Sequence, residues 1–233
     1  MSTEPLRKFY KQARASEDNG VMLDERRLRT PNGAVFAAPT PALAEAVAAE
    51  WNAQGAHILP AAMPLTQFAF AAIDHAPARR ADLVAHIARF AETDLLCHRA
   101  EAPVELVTRQ QALWSGPLDW AAAFSGATLP VVAGIVAARV PAGELAKIRA
   151  AAEALDDFRL TAMAQAAGLS GSAVIALALV HGALEPEAAF EAAALDDLWS
   201  LEHWGEDAEA RARLERQRAE FQAIGRFLQA LSG

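Results

Sequence analysis

The sequence predicts an α+β fold: a small antiparallel β-meander with a covering helix as an N-terminal module, residues 1–76, joined to a mainly α-helical C-terminal domain, residues 77–233. Three observations carry this prediction. Short apolar stretches separated by polar turn clusters fill the first forty residues. A capped, amphipathic helical pattern begins at Thr40-Pro41. Beyond Pro77 the apolar spacing is almost wholly helical, and residues 173–180 are apolar on every side, as a central buried helix requires.

In chain order, residues 9–15 read as a strand and Ser16-Glu17-Asp18-Asn19-Gly20 as a turn. Val21-Met22-Leu23 is a second short strand, and Asn32-Gly33 is a hairpin signal leading into residues 34–37. Thr40 is placed to cap a helix whose first turn holds Pro41 and whose buried stripe is Leu43, Val47 and Trp51. Pro60 and Pro64 frame a connection before a helix at 65–74. Leu83, Ile87 and Phe90 share a face of the next helix. A helix over 104–114 is expected to break at Gly116-Pro117 before a second piece at 118–124, with a short strand at 129–133. Leu145, Ile148, Ala152 and Leu155 mark a further helix. Ser172 caps the apolar helix that stops at His181-Gly182. Glu185-Pro186-Glu187 opens one more, interrupted at Trp204-Gly205. The last carries Leu214, Phe221, Ile224, Leu228 and Leu231.

Composition narrows the class without giving a chemistry. The 233 residues are 53% hydrophobic, enough to bury a sizeable core, and 29 acidic against 21 basic side chains give a net charge of −8. That balance argues against a broad electrostatic grip on nucleic acid or an anionic membrane. No apolar run reaches the roughly 18 residues of a membrane span, and the first residues lack the apolar core of a secretory signal. The single cysteine, Cys97, has no internal partner and fits a reducing compartment, so a bacterial cytoplasmic location is expected. Lysine occurs at Lys8, Lys11 and Lys147, the other 18 basic residues being arginine, and alanine is abundant; this is the bias of a GC-rich bacterial genome.

The familiar catalytic spacings are missing: there is no GxxxxGK[ST], GxGxxG, CxxC or HExxH. The histidines at 57, 75, 86, 98, 181 and 203 form no i, i+4 pair, so neither a metal nor a cofactor is expected. Gly168-Leu169-Ser170-Gly171-Ser172 superficially resembles a nucleophile elbow but lacks its second glycine and reads as a helix cap. Cys97 and His98 are neighbours that a strand would point to opposite faces, so Cys97 is expected to be buried and structural.

One region stands out. Between Glu185 and Ala210 lie nine acids and no lysine or arginine, a charge of −9 that exceeds the total for the chain. On a helix, Asp196, Trp199 and His203 share a face beside Leu195, Leu198 and Glu202. A charge run is ordinarily a solvated helix face. Tryptophans rimmed by carboxylates also suit a basic, partly apolar protein surface. Asp196, Trp199, Glu202, Trp204 and Glu206 are therefore the candidate partner-binding residues. The alternative is a carboxylate-dependent small-molecule hydrolase using acids of the 196–206 region.

Six segments, taken together, resemble one family. They are Leu23-Asp24 with Leu28-Arg29-Thr30-Pro31, the helix from Leu43 through Glu50-Trp51-Asn52-Ala53-Gln54-Gly55, and Met63-Pro64-Leu65-Thr66 with Ala72-Ile73-Asp74. Thr93-Asp94-Leu95-Leu96-Cys97, Leu169-Ser170-Gly171-Ser172 and Trp204-Gly205-Glu206 follow in order. The family is that of the assembly chaperones attending the α subunit of the ATP synthase F(1) sector, found in mitochondria and α-proteobacteria. The resemblance implies an α+β N-terminal module, a helical C-terminal domain, no enzymatic activity and a protein client, the α subunit, held until β replaces it. It implies the mitochondrial matrix for eukaryotic relatives and a free monomer here, with neither nucleic-acid binding nor membrane insertion.

Overall fold

In the computed structural model, which describes residues 6–134, 138–205 and 207–232, the chain has the expected α+β class. It divides into two compact units, Met1–Arg79 with Arg226–Gly233, and Arg80–Gly225. The last eight residues thus belong with the N-terminal unit, and the change between units falls at Arg79, where the backbone leaves helical geometry (φ −120°, ψ 20°).

The first unit is built on three short antiparallel strands, β1 (Ala13–Ala15), β2 (Val21–Leu23) and β3 (Arg26–Arg27), in sequential order. Ala13 pairs with Leu23 and Met22 with Arg27. The expected strand over 9–15 contracts to its last three residues for a local reason. The N–H groups of Lys11 and Gln12 donate to the Asp24 carboxylate, each within 3.1 Å, instead of to a neighbouring strand. Asp24 itself turns the chain at φ 51°, a conformation that its short polar side chain tolerates. Residues 34–37 supply a single bridge, Val35 to Arg29, rather than a strand. The outer edge of β1 is closed by Asn52, whose amide accepts from the Ala13 N–H and donates to the Ala13 carbonyl, both at 2.7 Å.

Asn52 ends α1 (Pro41–Asn52), which Thr40 caps as expected by accepting from the Leu43 N–H at 3.2 Å. The same hydroxyl donates to the Ala230 carbonyl at 2.5 Å, which ties the chain's C-terminal turn to this unit. Leu43, Val47 and Trp51 are buried, as their spacing required. α2 (Pro64–Asp74) begins on the Glu50 carboxylate, which accepts from the N–H groups of Leu65 and Thr66 and from the Thr66 hydroxyl. An acid at a helix N-terminus answers both its unpaired donors and its dipole.

The second unit holds most of α3 (Ala76–Glu92), β4 (His98–Arg99), α4 (Val104–Ser125) and β5 (Val132–Ala133), which pairs in parallel with β4. It continues with α5 (Ala142–Glu153), α6 (Asp157–Ser170), α7 (Ala173–Val180), α8 (Pro186–Ala193), α9 (Leu195–Trp204) and most of α10 (Ala208–Ala230). All eight residues of α7 are buried, and α4, α6 and α8 pack against it.

A polar knot starts that apolar helix. Gly171, at φ 69°, ends α6, and Ser172 caps α7 by accepting from the Ile175 N–H. The Ser172 hydroxyl donates to Asp94 at 2.7 Å, and the same carboxylate takes the N–H groups of Val174 and Leu96, each at 3.1 Å. The Gly171 carbonyl accepts from the Leu95 N–H. Two of the six family-like segments, 93–97 and 169–172, are therefore one structural unit. Beside it, burial pushes the Cys97 thiol up to about 12, with the Asp94 charge adding to the effect. His98 accepts from the Ala138 N–H on Nε2 and donates from Nδ1 to the Asp94 carbonyl, turned away from catalytic use with Cys97.

Three local expectations are corrected. α4 runs unbroken through Pro117, because Gln110, Trp114 and Ala121 on either side of it lie on one buried face. Packing on a common core outweighs the single hydrogen bond that the proline omits. The helix opened by Pro186 is two helices, parted at Ala194 (φ −101°, ψ 6°). There the Ala192 carbonyl, which an unbroken helix would pair with the Asp196 N–H, takes the Trp114 indole N–H at 2.8 Å. On α3 the buried face is Val84, Ile87, Ala88 and Ala91, with Leu83 and Phe90 at its margin.

Burial also pushes the Asp94 carboxyl up to about 6, the Ser172 hydroxyl and the Val174 and Leu96 N–H groups pulling it back. Unfolded, it titrates near 3.8, so between the two values the folded chain keeps a proton that the unfolded chain has lost. Its contribution to stability is complete below about pH 4 and is lost as the pH rises through about 6. Urea unfolding at a series of pH values should show Asp94→Asn flattening that decline, whereas Asp94→Ala, which orphans the buried donors, should cost about 2–4 kcal/mol throughout. A second test concerns Gly225, where an added Cβ would meet the Pro186 ring at 2.2 Å. Gly225→Ala should destabilise by about 1–3 kcal/mol in thermal unfolding, although alanine is the better helix former.

Candidate functional site

The acidic helix α9 has a pinned inner side and an open outer one. On the inner side, Gln110 of α4 is buried and donates from Nε2 to Asp196 at 2.8 Å. Its Oε1 accepts from the Ala100 N–H, and its backbone carbonyl takes the Arg99 guanidinium. Asp196 is thus anchored to α4 rather than free. Trp199 is only 7% exposed. His203 stacks on its ring at 3.8 Å between centroids, and the Arg109 guanidinium lies over it at 4.8 Å. Arg109 also pairs with Glu202 at 2.7 Å.

On the outer side stands Trp204, 82% exposed. It adjoins Gly205, one wall of a groove of about 570 Å³ whose apolar lining is Phe190, Leu198, Leu201 and Leu214, with Glu202, Glu215, Arg211 and Arg218 among its charged groups. A tryptophan so exposed adds nothing to the core, and the groove beside it has both apolar and charged walls. Of the candidate residues, then, the structure groups Asp196, Trp199 and Glu202 against α4 and leaves Trp204 in solvent. Glu206 lies outside the described residues.

Three of the nine acids behind the charge excess read from the sequence are answered by arginines from elsewhere in the chain. Arg109 of α4 pairs with Glu202, and Arg213 and Arg218 of α10 pair with Asp197 and Glu187. None of these arginines lies between 185 and 210. Gln110 and Arg109 are the site residues that sequence reasoning missed, and only contact in the fold reveals them. Among the described residues no group of three His, Cys, Asp or Glu side chains is placed to hold a metal ion, and no helix is long and apolar enough to cross a membrane.

The N-terminal unit carries its own groove, about 340 Å³, lined in part by Pro31, Trp51, Met63, Thr66 and Asp74 from the family-like segments. The polar groups of Thr66 and Asp74 are spent internally, whereas the buried Trp51 indole N–H has no hydrogen-bond partner. Thr66 is bound to Glu50, and Asp74 accepts from the Thr30 hydroxyl at 2.6 Å and the Asn32 N–H at 3.1 Å. These segments hold the unit together.

The family model for the ATP12 chaperone protein matches residues 7–122. The crystal structure of Atp12 from Paracoccus denitrificans superposes with a TM-score of 0.90 at 35% identity, over 97% of this chain and 98% of that one. This chain belongs to the ATP12 chaperone family. A mutant of the same P. denitrificans protein matches with the same score and identity, and Atu1473 from Agrobacterium tumefaciens matches at a TM-score of 0.88 and 35% identity, over 97% and 86% of the two chains. The ATP12 family consists of ATP synthase assembly chaperones, and it is the family that the six segments resemble.

The two tryptophans of α9 should separate cleanly in experiment. Trp199→Ala removes a packed ring and should cost about 3–5 kcal/mol in denaturant unfolding. Trp204→Phe should leave stability within about 0.5 kcal/mol while removing the fluorescence component most accessible to acrylamide.

Proposed function

We propose that this member of the ATP12 family is an ATP-independent holder of the unassembled ATP synthase α subunit. It covers the surface that α later gives to β and releases the subunit to β during assembly in the bacterial cytoplasm. An orphan subunit exposes apolar and charged interface that invites aggregation. A partner that covers this surface lowers the free concentration of the aggregation-prone form by mass action, with no covalent step. The observation that supports this reading of the contact is Trp204, 82% exposed at the end of α9 and next in the chain to Gly205, which lines a groove with apolar and charged walls. Trp204 is the anchor, Glu202 and Glu206 supply charge to basic groups of the client, and Asp196 and Trp199 fix the helix that presents them. The carboxylates of α9 work here as recognition groups and not as a catalytic pair: Asp196 and Glu202 are exposed and engaged by Gln110 and Arg109.

The test is co-purification of tagged protein with the α subunit, with and without added β. Wild type should retain α and yield it to β, while Trp204→Ala and Glu202→Lys should each weaken capture about tenfold or more without loss of helical structure. Retention of α by both variants at wild-type strength would move the contact elsewhere; failure of wild type to retain α would overturn the client assignment.

A further inference from the structure

The contact between α4 and α9 contains two different kinds of link. Gln110–Asp196 is built on a glutamine that is buried and fixed by its other groups, whereas Arg109 and Glu202 are each half exposed, at 50% and 50%. An ion pair so open to water is screened and contributes little to folding. Its geometry, however, is that of a recognition event: one guanidinium pairs with Glu202 at 2.7 Å and lies over the Trp199 ring at 4.8 Å. A basic side chain arriving from a client would seek the same carboxylate and the same aromatic face.

We propose that Arg109 is a built-in competitor for the acidic face of α9, occupying in the free protein the place that a client arginine or lysine takes in the complex. This rests on the reading of α9 as the client-contacting element. Arg109 keeps Glu202 paired and the ring face covered while no client is present, so neither is left to attract unrelated basic proteins. On client binding, one exposed ion pair is exchanged for another. The exchange makes little demand on the fold because Gln110 and Trp114 continue to hold α9 and the end of α8 to α4. The groups facing Arg109 are Glu202 and Trp199, with His203 stacked on the same ring.

The test measures binding of the purified α subunit to immobilised full-length protein at about 50 mM salt and again at high salt, where screening suppresses the effect. Four forms are compared: wild type, Arg109→Ala, Glu202→Gln and the double variant, with Arg109→Lys keeping the charge without the planar stack. Arg109→Ala should bind α roughly two- to fivefold more tightly at low salt. The gain should shrink at high salt and vanish in the double variant, and thermal midpoints should stay close to wild type. Arg109→Lys should fall between. Unchanged or weaker binding by Arg109→Ala, with Glu202→Gln still weakening capture, would overturn the competitor while leaving the site in place. Indifference of binding to both substitutions would remove the α9 site and the competitor with it.

Discussion

A carboxylate buried in an apolar core is expensive, and the second unit of this protein is arranged around one. Asp94 is fully buried and surrounded by donors: the Ser172 hydroxyl and the N–H groups of Leu96 and Val174. The constraint it answers is geometric. An eight-residue helix buried on every side brings unpaired N–H groups into a region without water, and each must find an acceptor. Ser172 takes one and Asp94 another, and Asp94 also binds the short turn at residues 95–97 to the same point. Once α7 is fixed, α4 packs on it, and α4 carries Gln110 and Trp114, the two side chains that seat α9 and the end of α8, and Arg109, which pairs with Glu202. The position of the candidate site therefore descends, link by link, from a hydrogen-bonded acid some way off in the sequence.

Where a signal was local, the sequence carried it. Thr40 before Pro41 marked the start of α1, the unbroken apolar run at 173–180 marked the central helix, and the spacing of Leu214, Phe221, Ile224, Leu228 and Leu231 marked the buried stripe of α10. Where the deciding partner was distant, the local signal misled. Pro117 reads as a break, yet a common buried face on both sides of it keeps α4 whole. The stretch after Pro186 reads as one helix, yet the Trp114 indole claims the Ala192 carbonyl, where the chain parts into two. On α3, alanine supplies three of the five buried positions, so an apolar pattern drawn from large residues alone points to the margin of the face instead of its centre.

The acidic window shows the same division in electrostatic terms. Counting charge along the chain finds nine acids without a base, but charge acts through space, and Arg109, Arg213 and Arg218 reach the window from two other helices. The counted stretch includes α9, which carries three of the nine acids, Asp196, Asp197 and Glu202, together with the exposed tryptophan. What the count could not separate was role. Asp196 and Trp199 are drawn into the fold by Gln110, His203 and Arg109, while Trp204, five residues beyond Trp199, is left outside. Nothing in the residue types distinguishes the two tryptophans; only the position of α4 does.

That partition is what a temporary holder of a protein client needs. A surface that retains its partner too firmly would compete with the final assembly, and one without a rigid frame would spend its binding energy on ordering itself. Here the frame and the contact are made of different materials. The inner side of α9 is held by the buried Gln110 and the packed ring of Trp199, whose loss would leave polar groups orphaned or a cavity behind. The outer side offers a single large aromatic group, Trp204, and at the margin the half-exposed ion pair of Glu202 with Arg109, worth little alone and easily exchanged for another partner's. Strength is placed where it maintains shape, and weak, water-facing interactions are placed where, on the proposed reading, the client arrives and leaves.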